Sequence, residues 1–205
     1  MTVSYEEQRK NMIESQVRTN DVSDLALINA MSIVARENFV DEGNKRFAYA
    51  ELEVKSKTGR PLMKVRDFSK LAQAAKVNSG EKVLIIGGSS GYSAEVFAQI
   101  GADVTIVDSI KCDFKNFVSS NLDKLENIAD DSFDLIFVDG GVETISKNWF
   151  AKLKNNGRLA VINYLTNVGV AQIYVKSNNV VASKNYFEAK PPKMPEFIRQ
   201  AEFTL

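Results

Sequence analysis

The sequence predicts an α/β domain built on a doubly wound, mostly parallel sheet, with an N-terminal helical extension and a C-terminal hairpin. Three observations carry that expectation. Apolar, β-type runs at 82–86, 103–107, 132–138 and 158–163 alternate with helix-compatible segments, which is the pattern of parallel strands joined by helical crossovers. The first run ends in a glycine turn, Gly87-Gly88-Ser89-Ser90-Gly91-Tyr92, and the second ends in a carboxylate, Asp108. A strand, a glycine turn, a helix and a second strand closed by an acid form the Rossmann-like layout of a nucleotide-type βαβ unit.

The elements follow in chain order. Residues 5–17 read as an amphipathic helix and 24–34 as a second one, which Ser23 or Asp21 is expected to cap. Residues 48–60 are β-like or irregular, with a turn at Thr58-Gly59-Arg60-Pro61. A third helix is expected over 67–76, where Phe68, Leu71, Ala72 and Ala75 fall at helical spacing. After the four core strands, runs at 171–175 and 180–187 flank Ser177-Asn178-Asn179 and predict a closing hairpin. The whole chain, 1–205, is expected to be one domain, with 1–76 as a helical cap and substrate region and 77–205 as the core.

The glycine turn suggests a small-molecule site. Gly87, Gly88 and Gly91 carry no Cβ, so the backbone can turn tightly and approach a ligand. Free backbone N–H groups at the start of the next helix suit a carboxylate or phosphate. Asp108 lies 17 residues beyond Gly91, at a strand end where an acid can accept hydrogen bonds from both ribose hydroxyls. Ligands of such sheets sit outside the carboxyl ends of the strands, where Gly87, Asp108 and Asp139 would converge. An adenosine-containing ligand fits this layout. A dinucleotide fingerprint does not, because the match to G-x-G-x-x-G fails at its second and third glycines. The loop also spells G-x-S-x-G around Ser89, but the chain has no histidine, so the usual serine-histidine-acid relay cannot be built.

Composition narrows the classes further. The chain has 205 residues and 44% hydrophobic content, which suits one well-cored domain. Its 26 basic and 26 acidic residues balance, arguing against binding to nucleic acid or a membrane surface through bulk charge. One cysteine, Cys112, allows no internal disulfide and suits a reducing compartment. With no histidine, a transition-metal site is not expected. There is no run of 18 apolar residues and residues 1–10 are polar and acidic, so a cytoplasmic protein is expected.

Several segments together resemble the protein-L-isoaspartate O-methyltransferase family, class I S-adenosylmethionine-dependent methyltransferases, in a bacterial branch. They are Met12-Ile13-Glu14-Ser15-Gln16-Val17-Arg18-Thr19-Asn20, Arg36-Glu37-Asn38-Phe39-Val40, Phe47-Ala48-Tyr49-Ala50, Gly91-Tyr92-Ser93-Ala94, Asn156-Gly157-Arg158-Leu159, and Phe187-Glu188-Ala189 with Pro192, Pro195 and Phe197. The resemblance implies the class I methyltransferase fold and methyl transfer from S-adenosylmethionine to an isoaspartyl carboxylate of a protein or peptide, leaving S-adenosylhomocysteine. It implies cofactor contacts from Gly87, Gly88, Ser89, Gly91, Tyr92, Asp108 and Asp139. No catalytic side chain is required, since the substrate carboxylate is ionised near neutral pH and is its own nucleophile.

The chain departs from the family's pattern at four places. Ile85 stands where the family has an acid two residues before the glycine, and Ser89 replaces the middle glycine. Met63 stands where the family has a serine near the substrate carboxylate. Only 25 residues separate Asp108 from Asp134, too few for a helix, a third strand and a loop, so one of those elements is expected to be absent and the adenine side open. Asp123 is the remaining candidate for the adenine amino group. Three functions stay open: an isoaspartyl carboxyl methyltransferase, a catalytically weak or inactive member kept as a binding or scaffold protein, and an S-adenosylmethionine enzyme with another substrate.

Overall fold

A computed structural model describes residues 3–178 and 180–199. The expected first helix starts at its predicted residue: Ser4 caps α1, Tyr5–Met12, by accepting from the Glu7 N–H, and a π-type turn over Ile13–Val17 continues it. The second helix, α2 over Leu25–Ile33, is capped by Asp24 rather than by Ser23 or Asp21. Its carboxylate accepts from the N–H groups of Ala26 and Leu27, which places the cap one residue before the helix, where those N–H groups lack partners. A two-stranded ribbon of β1, Val54–Lys55, and β2, Pro61–Leu62, holds the turn predicted at 58–61. The third helix, α3, runs over Val65–Ala75, two residues earlier than its periodicity suggested.

The seven-stranded sheet then forms from β3, Lys82–Ile86; β4, Asp103–Asp108; β5, Phe117–Ser119; β6, Phe133–Val142; β7, Leu153–Asn163; β8, Gly169–Ser177; and β9, Val180–Ala189. Helix α4 spans Tyr92–Ile100 and α5 spans Lys147–Lys152. The strand order is β5-β4-β3-β6-β7-β8-β9, parallel as far as β7 and antiparallel beyond it. The closing hairpin is therefore β8–β9; the Asn179 of its expected turn lies outside the described residues, as do Met1 and Thr2. The question left by the short segment after Asp108 is answered at β5: the third strand is present as three residues, and the helix before it is absent. An irregular link over 109–116 makes this parallel connection, with Asn116 tied to the β4 backbone through its own carbonyl and side chain.

Period-2 side-chain alternation divides the core between the two sheet faces. Val83, Ile85, Ile106, Leu135 and Phe137 point to one face and pack under residues of α1 to α4. Leu84, Ile86, Val107, Ile136 and Val138 point to the other, covered by Leu122, by Trp149 of α5, and by Met194 and Phe197 of the segment after β9. The second layer is thus made largely of irregular chain. Because the strand order turns back on itself between β3 and β6, the crevice at their carboxyl ends is the switch point at which doubly wound sheets take ligands. Among the described residues no helix is long and apolar enough to cross a membrane.

Candidate functional site

The glycine loop sits at that crevice, between β3 and α4. Gly87 and Gly91 have φ of +75° and +81°, conformations that disfavour a side chain. Their N–H groups donate to Val107 and Gly88 carbonyls, at 2.9 Å each, so the turn is tight and anchored to β4. Gly88 is enforced by packing: a Cβ there would stand 2.5 Å from Cγ2 of Ile85. Ile85 itself is fully buried. Tyr92 opens α4 as a buried ring under the Arg36 guanidinium, 4.6 Å from its centroid, and against Phe39 and Phe68. Burial pushes its hydroxyl pKa up, and the hydroxyl has no hydrogen-bond partner among the described residues. The Ser90 hydroxyl is likewise buried and unpartnered. A cleft of about 310 Å³ opens beside the loop, with Phe39, Thr58, Ser89, Ser90, Cys112 and Phe114 among its lining residues.

Asp108 ends β4 beside the loop, as the sequence predicts, and is wholly buried. Its acceptor positions are already in use. The Ser89 N–H and the Ile110 N–H donate to it at 3.1 Å each. Arg60 donates from Nε to Oδ2 at 3.1 Å and from Nη2 to Oδ1 at 2.7 Å, a bidentate pair with both side chains nearly out of solvent. Burial alone would push the carboxyl pKa up, but the Arg60 hydrogen bonds and charge outweigh it and hold the group below the usual aspartate range. The adjacent edge of the same guanidinium binds Glu196, at 2.6 Å from Nη2 and 3.1 Å from Nη1. The sequence places Arg60 only in a turn, and a partnership 48 residues away leaves no local signal.

The segment after β9 crosses the crevice as a strap. Gly141 and Glu143 donate their N–H groups to the carbonyls of Pro192 and Phe197, and Met194 N–H returns a bond to the Gly141 carbonyl. Tyr164 holds the Pro191 carbonyl at 2.7 Å, and Lys193 pairs with Glu143 at 2.6 Å. The Met194 side chain consequently lies over the glycines of both strands. A Cβ on Gly87 would collide with its Cε, and one on Gly140 would stand 2.8 Å from its Cγ.

The other expected residues divide. Asp139, at the end of β6, accepts a 2.6 Å bond from Ser93 of α4. Its surroundings are crowded enough that burial pushes its pKa up to about 6, opposed by the Ser93 bond. Ser89 is buried, with its hydroxyl 3.4 Å from that of Thr58. Met63 is buried in the core, its carbonyl accepting from Arg36 at 2.7 Å. Asp123 offers its carbonyl to Ser146 and Asn148 of the α5 cap while its side chain is exposed, with no bond to the glycine loop. Cys112 is partly buried with its thiol pKa pushed up, the opposite of an activated nucleophile.

The family model for protein-L-isoaspartate(D-aspartate) O-methyltransferase matches residues 7–140 of this sequence. The chain belongs to that family. A protein-L-isoaspartate O-methyltransferase of Brucella anthropi is 29% identical over 171 residues, covering 77% of this chain and 78% of its own length. One from Opitutus terrae is 28% identical, covering 75% and 72%. Among solved structures, a protein-L-isoaspartate O-methyltransferase superposes with a TM-score of 0.74 at 20% identity, over 91% of this chain and 65% of that one. A candidate family enzyme from Plasmodium falciparum, in complex with S-adenosyl-L-homocysteine, gives 0.77 at 16%, over 92% and 98%. The fold is therefore the family's mixed α/β architecture with a mostly parallel sheet. S-adenosylmethionine is the family's cofactor.

The residues present suit that cofactor unequally. Asp108, the glycine turn and the unpartnered Ser90 hydroxyl are the acceptors and backbone space an adenosyl group needs. On the methionyl side Ile85 offers no charge and Met194 covers Gly87 and Gly140, while on the ribose side the Asp108 oxygens are held by Arg60. The residues present thus fit the adenosyl half of the cofactor, with Arg60 and Met194 standing against the same acid and the same turn.

Proposed function

We propose that this protein is a carboxyl methyltransferase of the isoaspartyl type, acting in the cytoplasm on damaged proteins or peptides as a repair activity. The observation that carries it is the placement of a tight glycine turn and a buried strand-end carboxylate at the switch point of the sheet. Gly87, Gly88, Ser89, Gly91 and Tyr92 would form the floor of the cofactor site, Asp108 would take the ribose, and Asp139 would border the substrate side. Residues 1–76 would form the cap through which substrate enters, over a core of 77–205. When bound, S-adenosylmethionine supplies an electrophilic methyl group on a sulfonium that leaves readily. The protein's part is then to hold an ionised substrate carboxylate in line and to exclude water, an effect of proximity and orientation that needs no general base.

The test is a titration with S-adenosylhomocysteine, followed by transfer of labelled methyl to an isoaspartyl peptide and to its aspartyl twin. Binding with weak, isomer-selective turnover is expected. Weakness follows from Ile85 and Met63, because losing one preorganised polar contact commonly lowers a rate about 100-fold. The Arg60–Asp108 pair favours a second reading, a member that keeps the fold for binding without turnover; absence of methyl transfer at saturating donor would select it.

A further inference from the structure

We propose that the strap over 191–197 and Arg60 act together as a built-in stopper of the cofactor crevice, which must withdraw before an adenosyl ligand can enter. This inference rests on the methyltransferase reading and adds the control of access to its site. Each half of the expected ligand has a stand-in from the chain itself. The Arg60 guanidinium presents paired N–H donors to Asp108, as a ribose diol would present paired O–H donors. The Met194 thioether chain lies across Gly87 and Gly140, over the switch point between β3 and β6. Glu196 joins the two, since it binds the Nη1–Nη2 edge of Arg60, sharing Nη2 with Asp108, and lies two residues from Met194. Moving the strap therefore frees the guanidinium on one side, and moving Arg60 frees Asp108.

The strap is tied to β6 by backbone bonds, while its link to Arg60 is open to solvent. The Glu196 side chain is 32% exposed, unlike the buried Asp108 it is linked to. Phe197 packs edge-on against Trp149, with ring centroids 4.9 Å apart. Trp149 is the chain's one tryptophan and is fully buried, so it reports whether the strap is seated. A ligand that binds only the open form has its affinity reduced by the open fraction, so a form open about 1% of the time binds about 100-fold more weakly than its intrinsic affinity.

The experiment measures S-adenosylhomocysteine affinity by calorimetry for the parent, for Arg60→Ala, and for a Met194→Ala/Glu196→Ala double variant, with Trp149 emission followed in the same titrations. The double variant leaves the buried Arg60–Asp108 pair in place, so it remains informative if Arg60→Ala fails to fold. The expected result is affinity about tenfold or more tighter in the double variant, and a red shift of Trp149 emission as the parent binds. Equal affinity in parent and double variant overturns the stopper while leaving the methyltransferase reading standing. No binding by either, with both folded, overturns that reading and the stopper with it.

Discussion

At Asp108 a fully buried carboxylate is held by the Ser89 N–H of the glycine loop, by the Ile110 N–H of its own loop and by a guanidinium from the β1–β2 turn. Removing one member of a buried pair strands the other, so Asp108→Ala is expected to cost about 3 kcal/mol, read as a lowered urea midpoint. Because its folded pKa lies below the unfolded value, its stabilising contribution is present above about pH 4 and fades as the pH falls further. Asp139 behaves in the opposite sense. Its folded pKa of about 6 exceeds the ordinary 3.8, so stability falls as the pH rises from about 4 to 6. Asp139→Asn keeps an acceptor for Ser93 and removes the cost of ionisation; denaturation at pH 7 should show a gain of about 1 kcal/mol, absent at pH 4. The position of Asp108 at a strand end is legible in the sequence. Its occupation by Arg60 is not, because local pattern carries no record of a contact across 48 residues.

At the scale of elements, the strands were the most legible because a buried parallel strand is a continuous apolar run, and β3 matches its predicted bounds residue for residue. Helix ends were less so. Ser23, Asp21 and Asp24 are all acceptable caps by residue type, and the structure selects Asp24 because Gln73 of α3 accepts the N–H groups of both Ser23 and Asp24 and aligns the chain there. Asp24→Ala is expected to lower stability by about 1 kcal/mol in a thermal melt, with Ser23→Ala closer to neutral. The link between β4 and β5 shows what length alone leaves open. A count of residues excludes having both helix and strand, but the choice of the strand rests on parallel pairing of 117–119 with 106–108, which completes the edge of β4.

For the whole molecule, the strap links the site to the core on the second face of the sheet. Phe197 is buried against Trp149, and the Leu122 carbonyl holds the indole N–H at 2.8 Å. Phe197→Ala should therefore cost about 3 kcal/mol, the usual range for deleting a buried aromatic, and should shift Trp149 emission to the red in the folded protein. Chemical denaturation followed by tryptophan fluorescence measures both effects. A variant with unchanged midpoint and unchanged emission would show that the strap is not part of the cooperative core.

The sequence by itself determined the class of fold, the order of its elements apart from the segment after Asp108, and the place of the glycine turn and Asp108, because each is written in local apolar period and in residues with special backbone needs. Family membership was legible in the same way, from short segments in a fixed order. Only the tertiary structure decided what stands in the crevice. Arg60, Met194 and Glu196 come from a turn and a tail that carry no periodic signal. The tail reaches the glycine loop because Gly141 of β6 and Glu143 just beyond it offer backbone N–H groups that the tail carbonyls satisfy, and Glu196 of the tail then meets Arg60.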